Sequence, residues 1–246
     1  AVWNTFNSFT LSAIPLFILL GEILLRSGLS ERVYTAITPV FTRVPGGLLH
    51  TNIAVCTIFG AVSGSSLSTA AAIGSVAYPE MRRRGYNRDM IVGSLAGGGT
   101  LGLLIPPSLS FLIFGALTET SIGRLFIAGI IPGLMVALMF MVYILICCLR
   151  NPSLYPRESI AISMLKVLTN ALSIWPILML IFAIMGSIIL GWATPTEAAA
   201  VGVAVAIFIA FLWGDFNSQK LLESFYRSVQ LYAAIGLVIV GATILA

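Results

Sequence analysis

The residues Gly97–Ser108 read GGGTLGLLIPPS and lie in the middle of an apolar segment that runs from Met90 to Leu117. The segment is long enough to cross a bilayer, since a membrane helix needs about 20 apolar residues. Its centre is unsuited to a continuous helix, because glycine lowers helix stability and Pro106 and Pro107 supply no backbone N–H. The stretch therefore predicts a broken membrane helix.

The break in this helix predicts a ligand site. Backbone groups freed at membrane depth are tolerated only when they are buried in protein or line a wet cavity. An unwound loop here would offer main-chain carbonyls and amides, together with the hydroxyls of Thr100 and Ser108. Secondary transporters build midplane sites in this way. A second interpretation stays open, in which the glycines form a packing face and the prolines a kink.

The composition defines the class of protein. The chain is 59% hydrophobic and 9% charged, whereas a soluble domain carries about 25% charged residues. Because the apolar runs are continuous, they predict an all-α integral membrane protein rather than a β-barrel. The net charge of +4 is small and lies in loops, so we expect a lipid bilayer and no nucleic acid as partner. No Walker-type phosphate loop occurs in the sequence, and we expect no enzymatic activity.

A second unusual segment lies before the broken helix. Thr51–Val62 and Thr69–Tyr78 are apolar arms, each shorter than the ~20 residues that a span requires. The small polar run Ser63–Ser68 separates them. Lys and Arg mark the cytoplasmic side of a membrane protein. The arginines before and after the two arms lie on the same side of the membrane only if the chain enters the membrane and returns to the side from which it came. We therefore predict a re-entrant hairpin, with a single kinked span through the serines as the alternative.

The other apolar segments predict ordinary spans and two amphipathic helices. The residues between Arg26 and Arg43 are interpreted as a polar connection. The predicted spans are Leu11–Leu25, Phe126–Leu149, Ile174–Leu190, Ala198–Trp213 and a further one from Leu231, and the predicted amphipathic helices are Ser159–Ser173 and Asp215–Gln230.

Two intramembrane acids have structural explanations. Thr194, Pro195 and Glu197 fit a capping box at the start of an apolar helix. Glu22 precedes Arg26 by one helical turn, so the two side chains can form an ion pair. Neither acid is therefore nominated as a proton carrier, although acids within the membrane core are often functional.

The tip of the predicted hairpin indicates a cation site. Ser63, Ser65 and Ser66 supply three hydroxyls beside the flexible Gly64. Hydroxyls and unwound carbonyls can bind a hard monovalent cation such as Na⁺ without a buried carboxylate. The helix that begins after Ser66 would also direct its positive N-terminus at an anion. Ser66 could instead cap that helix, and the two roles are compatible.

Several motifs, taken together, resemble the large membrane subunit of TRAP transporters (tripartite ATP-independent periplasmic transporters, DctM-like). The match covers nearly the whole chain in the expected order. The motifs are residues 13–18 with 21–22, 59–66, 79–81 with 85–86, 99–108, 125–133 and 191–200.

The resemblance implies a sodium-coupled elevator importer of a small organic acid, such as a C4-dicarboxylate or sialic acid. A periplasmic binding protein (DctP-like) would deliver the substrate, and a small membrane subunit (DctQ-like) would brace the large one. The expected location is the cytoplasmic (inner) membrane of a bacterium or archaeon, crossed several times. A membrane channel, a structural scaffold and a proton-coupled transporter remain the alternatives.

The resemblance also implies two inverted repeats, each with a re-entrant hairpin and a broken helix. We expect the first repeat at 1–149 and the beginning of the second at 150–246, with the second hairpin missing from this chain, which alone should not transport. By the family pattern, Na⁺ would bind at Ser63, Ser66, Gly99, Gly102 and Pro107. The full predicted ion and substrate site is Ser63, Gly64, Ser65, Ser66, Gly99, Thr100, Gly102, Pro106, Pro107 and Ser108.

Overall fold

A computed structural model describes residues 9–156 and 174–245, and the predicted amphipathic helix at Ser159–Ser173 lies outside them. The described residues form α-helices joined by short connections, and these ranges contain no β-strand. The helices are α1 (Ala13–Arg26), α2 (Leu29–Phe41), α3 (Leu48–Ser63), α4 (Ser66–Arg83), α5 (Arg88–Leu104), α6 (Leu109–Leu117), α7 (Ile122–Arg150), α8 (Trp175–Ile189), α9 (Pro195–Trp213) and α10 (Ser218–Leu245).

Four helical stretches within the described residues are long and apolar enough to cross a membrane. They are Arg88–Leu117, which combines α5 and α6, Ile122–Arg150, Pro195–Trp213 and Ser218–Gly241. Helix α7 exposes a broad apolar surface that includes Ile131, Leu138 and Met139. Such side chains are stable in lipid and costly in water. The chain is therefore an all-helical, multi-pass membrane protein.

Helix α3 lies at the centre of the structure. Helices α1, α2, α4, α5 and α7 all pack against it. Most of its side chains are buried, including those of Leu49, Ile53, Val55 and Phe59. An apolar pattern without a polar face is what a helix surrounded by other helices requires.

The two predicted hairpin arms are helices, but they are longer than predicted. Helices α3 and α4 contain 16 and 18 residues, because the helical backbone continues beyond the purely apolar part of each arm. The tip is only Gly64–Ser65 rather than the six residues 63–68. Gly64 ends α3 with a φ of 60°, a left-handed conformation that glycine adopts without steric cost.

The N-cap of α4 is Ser65 rather than Ser66, so the suggested capping role of Ser66 was wrong. Ser65 has an extended backbone, and its hydroxyl accepts a hydrogen bond from Ser68 N at 3.4 Å. Extended backbone at the N-cap is the usual geometry for this interaction. Ser66 is the first helical residue.

The helix break is confirmed, but it is shorter than predicted. Helix α5 continues through Gly97, Gly98, Gly99 and Gly102 to Leu104, and only residues 105–108 are non-helical. The prediction of an unwound glycine stretch was therefore wrong. Proline ends the helix because it has no N–H to donate, whereas the glycines stay helical and allow close packing against α3 and α4.

Two peripheral segments differ from the prediction. The residues between Arg26 and Arg43 contain the helix α2, which buries Val33, Tyr34 and Ile37 and leaves Glu31 and Arg32 exposed. This spacing of three to four residues is amphipathic, and the charged residues had obscured it.

The predicted amphipathic helix at Asp215–Gln230 and the span after it form one continuous helix, α10. The polar part of α10 packs against α1, where Arg26 pairs with Glu223 at 3.0 Å and with Glu22 at 3.5 Å. The predicted Glu22–Arg26 pair is thus confirmed.

The predicted capping box at the start of α9 is also confirmed. The side chains of Thr194 and Glu197 each accept a hydrogen bond from the main-chain N–H of the other residue.

Surface labelling would test how the hairpin sits in the membrane. Arg43, Arg82 and Thr120 are all exposed. If α3 and α4 form the predicted re-entrant hairpin, cysteines at Arg43 and Arg82 should react with a membrane-impermeant maleimide from the same side. A cysteine at Thr120 should react from the opposite side, since the span Arg88–Leu117 separates it from Arg82. Labelling of Arg43 and Arg82 from opposite sides would instead favour a single kinked span.

Candidate functional site

The hairpin tip touches the break between α5 and α6. Leu109 N, at the start of α6, donates a hydrogen bond to the main-chain oxygen of Gly64 at 3.2 Å. A Cβ atom placed on Gly64 would lie 2.8 Å from the main-chain oxygen of Pro107. The contact is therefore made by main chain on both sides, and it leaves no space for a side chain.

Glycines bring α5 equally close to the two arms of the hairpin. A Cβ atom on Gly102 would lie 2.7 Å from both the main-chain oxygen of Ser65 and Thr69 Oγ1. A Cβ atom on Gly99 would lie 2.8 Å from Ala70 Cβ, and one on Gly60 2.9 Å from Gly102 Cα. Distances under 3 Å exclude any larger residue without movement of a helix, so the packing interpretation of these glycines is correct.

Buried hydroxyls line the tip. Ser63 and Thr69 are fully buried, and their hydroxyl oxygens lie 2.7 Å apart. Ser63 Oγ also lies 3.4 Å from the main-chain oxygen of Ser65. The Ser66 hydroxyl is half-buried and makes no hydrogen bond within the described residues. These hydroxyls place neutral oxygen atoms at the point where the two arms meet.

Helix α5 ends with carbonyls that lack their usual donors. In a continuous helix the carbonyls of Gly102 and Leu103 would accept from the N–H groups four residues later, but those residues are Pro106 and Pro107. Leu103 O accepts instead from Ser108 Oγ at 2.5 Å. Ser108 in turn caps α6 by accepting from Ser110 N at 3.2 Å. The Gly102 carbonyl therefore keeps its lone pairs available for a ligand.

The helix ends give the site a balanced electrostatic field. Helices α3 and α5 end here, while α4 and α6 begin here. Each C-terminal end carries about half a negative elementary charge and each N-terminal end about half a positive one. The predicted site residues have no ionisable side chains. The arrangement can thus hold a cation near two C-terminal ends and an anion near two N-terminal ends.

The structure brings together most of the predicted site residues. Eight lie at the contact between tip and break: Ser63, Gly64, Ser65, Ser66, Gly99, Gly102, Pro107 and Ser108. Thr100 is instead exposed, and its hydroxyl donates to Gly97 O at 2.6 Å. Pro106 faces α7, where a Cβ atom on Gly129 would lie 3.1 Å from its ring.

Sequence reasoning missed three residues at the tip. Thr69 pairs with Ser63, and Gly60 lies against Gly102. Gly21 lets α1 cross the tip, since a Cβ atom there would lie 2.9 Å from the main-chain oxygen of Ser63. A glycine in the middle of an apolar helix was the available signal for Gly21 and Gly60, because it indicates close packing.

A multi-pass helical protein with a neutral polar centre, built by a helix break and the turn between two helices, has the architecture of a membrane permease. Comparison with known proteins gives the particular family. Residues 1–246 match the family described as "Tripartite ATP-independent periplasmic transporter, DctM component". The chain belongs to this family.

Characterised relatives differ in the solute that they are named for. The chain is 36% identical to the C4-dicarboxylate TRAP transporter large permease protein DctM of Pseudomonas aeruginosa, over 100% of this chain and 57% of that protein. It is 34% identical to the sialic acid permease SiaM of Vibrio cholerae, over 97% of this chain and 55% of that protein. It is 35% identical to the ectoine/5-hydroxyectoine permease UehC of Ruegeria pomeroyi, over 95% of this chain and 54% of that protein. The chain thus spans little more than half the length of these relatives.

Two glycine substitutions in α5 would test the close packing of the site. Gly102→Ala should lower stability by about 1–3 kcal/mol, because the new methyl group overpacks the contact with Ser65 and Thr69. Gly93→Ala is the matched control, since no atom lies within 4 Å of a Cβ there. It should be neutral or stabilise the helix by up to about 1 kcal/mol. Thermal unfolding in detergent measures both, and equal effects would contradict this account of Gly102.

Proposed function

We propose that this chain is the ion-binding half of a sodium-coupled TRAP permease that imports a small organic acid. The supporting observation is the contact between the tip of α3–α4 and the α5–α6 break, where hydroxyl and carbonyl oxygens meet in a neutral environment. The described residues at this contact cannot hold a proton by titration, because their side chains do not ionise. The donor set thus favours Na⁺ over H⁺ as the coupling ion.

The proposed sodium ligands are the Ser63 and Ser66 hydroxyls with the main-chain oxygens of Gly99, Gly102 and Pro107. Three features support this set. Ser63 is fully buried at the tip, the Gly102 carbonyl lacks a donor four residues later, and the Pro107 oxygen lies against Gly64. The C-terminal ends of α3 and α5 add negative potential for a cation. Neutral oxygens can hold Na⁺ without the cost of burying an unpaired carboxylate.

The proposed substrate is an anion or zwitterion with a carboxylate group. The N-terminal ends of α4 and α6 both begin at the site, and helix N-termini bind carboxylates through free N–H groups and the helix dipole. C4-dicarboxylates, sialic acid and ectoine, for which the relatives are named, each carry a carboxylate. The shared chemistry supports a carboxylate-binding role for Ser65, the N-cap of α4, because its hydroxyl accepts from Ser68 N and keeps its proton for a carboxylate. The Ser108 hydroxyl already donates to Leu103 O, so the predicted role of Ser108 rests on its place at the N-terminal end of α6.

The wider assembly follows from family membership. We propose that α3 and α4 form a re-entrant hairpin within a first repeat at 1–149, and that an inverted second repeat, which begins at about 150, completes the site. The second hairpin would come from the part of the permease that this chain does not span. A small DctQ-like subunit, a DctP-like binding protein, an elevator motion and a cytoplasmic membrane location complete the proposal.

Reconstituted uptake distinguishes this function from its alternatives. We expect the whole permease to accumulate a carboxylate solute in proteoliposomes only with an inward Na⁺ gradient and the cognate binding protein. A channel would conduct without the binding protein, and a scaffold would not move solute at all. Uptake driven by a proton gradient without Na⁺ would contradict sodium coupling but leave the transport proposal intact.

Serine substitutions in α4 test the sodium site. Ser66→Ala should raise the Na⁺ concentration for half-maximal uptake several-fold, because it removes one proposed oxygen ligand without removing the helix cap at Ser65. Ser75→Ala is the control on the same helix, since its exposed hydroxyl only donates to Ala72 O at 2.9 Å. Uptake is measured against Na⁺ concentration at matched expression. An unchanged Na⁺ requirement in Ser66→Ala would exclude that hydroxyl as a ligand.

A further inference from the structure

We propose that Thr69 is a positioning residue that orients the Ser63 hydroxyl towards the bound cation. The inference rests on the proposed sodium site and adds a residue that acts through a ligand rather than as one. Thr69 belongs to α4, one turn after the cap at Ser65, while Ser63 is the last residue of α3. The pair therefore joins the two arms directly at the tip.

The hydroxyls of Ser63 and Thr69 lie close enough to form a hydrogen bond with each other. Both side chains are fully buried, and the 2.7 Å between their oxygens is the normal distance for an O–H···O hydrogen bond. The main-chain oxygen of Ser65 lies 3.4 Å from Ser63 Oγ, which is beyond the usual range for a hydroxyl donor. Thr69 Oγ1 is thus the good acceptor within reach of the Ser63 proton.

The direction of this hydrogen bond decides whether Ser63 can bind a cation. A hydroxyl has one proton and two lone pairs, and a cation is attracted only when the proton points away from it. When Ser63 donates to Thr69, Ser63 Oγ accepts only a long hydrogen bond from Ser65 N at 3.5 Å, so a lone pair is free for the ion.

Thr69 is also held in place from the side of α5. A Cβ atom placed on Gly102 would lie 2.7 Å from Thr69 Oγ1. Because glycine has no Cβ, the Thr69 hydroxyl can lie against the main chain of α5 at this position. The same backbone carries the Gly102 carbonyl that is proposed as a sodium ligand. Thr69 therefore connects one proposed ligand on α3 with another on α5 and sets the orientation of the first.

The test compares Thr69→Val with Thr69→Ser in the whole permease with its binding protein. Valine has the shape of threonine but accepts no hydrogen bond, so the Na⁺ concentration for half-maximal uptake should rise about fivefold. The maximal rate at saturating Na⁺ should stay within about twofold of wild type. Thr69→Ser keeps the hydroxyl and should restore the wild-type Na⁺ requirement. A purely structural role would lower the maximal rate and leave the Na⁺ requirement unchanged.

Thr57→Val is the matched control on the other arm. The Thr57 hydroxyl is half-buried and donates only to the Ile53 carbonyl at 2.8 Å, so its removal should not change the Na⁺ requirement. Thr69→Ala replaces Thr69→Val if the valine variant does not fold, because it removes the hydroxyl without adding bulk. Folding is checked by thermal unfolding in choline buffer, where no Na⁺ is bound.

A double-mutant comparison shows whether Thr69 acts through Ser63. On a Ser63→Ala background, Thr69→Val should cause no further rise in the Na⁺ requirement, because the hydroxyl that it orients is absent. Additive effects, an unchanged Na⁺ requirement in Thr69→Val, or a serine variant as impaired as the valine variant would each overturn the proposal. Wild-type uptake without Na⁺ dependence would remove the sodium site itself, an outcome separate from failure of Thr69 alone.

Discussion

The structure depends on a contact between two non-helical stretches of main chain, the α3–α4 turn and the α5–α6 break. Main-chain groups inside a membrane cannot obtain hydrogen bonds from lipid, so each interruption of a helix must find partners within the protein. Here the two interruptions supply partners for each other, as the bond from Leu109 N to Gly64 O shows. Surrounded by lipid, each interruption would depend on the hydrogen bond that the other supplies.

Close packing and ligand binding have the same origin in this site. The glycines of α5 are helical and allow the hairpin to approach so closely that a Cβ atom on Gly99 or Gly102 would lie less than 3 Å from it. That approach places the backbone of Gly102 beside the Thr69 hydroxyl, which pairs with the Ser63 hydroxyl. A side chain larger than hydrogen would separate the helices and so separate the oxygens, which makes the packing face a precondition of the polar centre.

The charged residues are kept away from this centre. Arg26, Glu22 and Glu223 join α1 to α10 by ion pairs. Glu80 pairs with Arg83 and Arg84 at the C-terminal end of α4, the end of that arm opposite the tip. The polar centre itself relies on helix ends and neutral oxygens. A neutral centre can bind and release an ion without leaving a buried charge unpaired, which suits the transport role proposed for this member of the DctM family.

The sequence by itself determined the membrane class, the position of the hairpin turn, the existence of the helix break and the capping box at Thr194. These features depend on local chemistry, because hydrophobicity acts residue by residue and Pro106 and Pro107 lack an N–H in any environment. The family motifs likewise lie within continuous stretches of the chain.

Only the tertiary structure decided that the residues from Gly97 to Leu104 remain helical, that Thr100 faces outwards and that Thr69 and Gly21 belong to the tip. Each of these outcomes depends on which atoms of another helix lie within about 3 Å. A glycine lowers helix stability in isolation, but it stabilises a helix pair when its missing side chain allows the backbones to touch. The same local pattern can therefore unwind or pack, and the neighbouring helix determines which occurs.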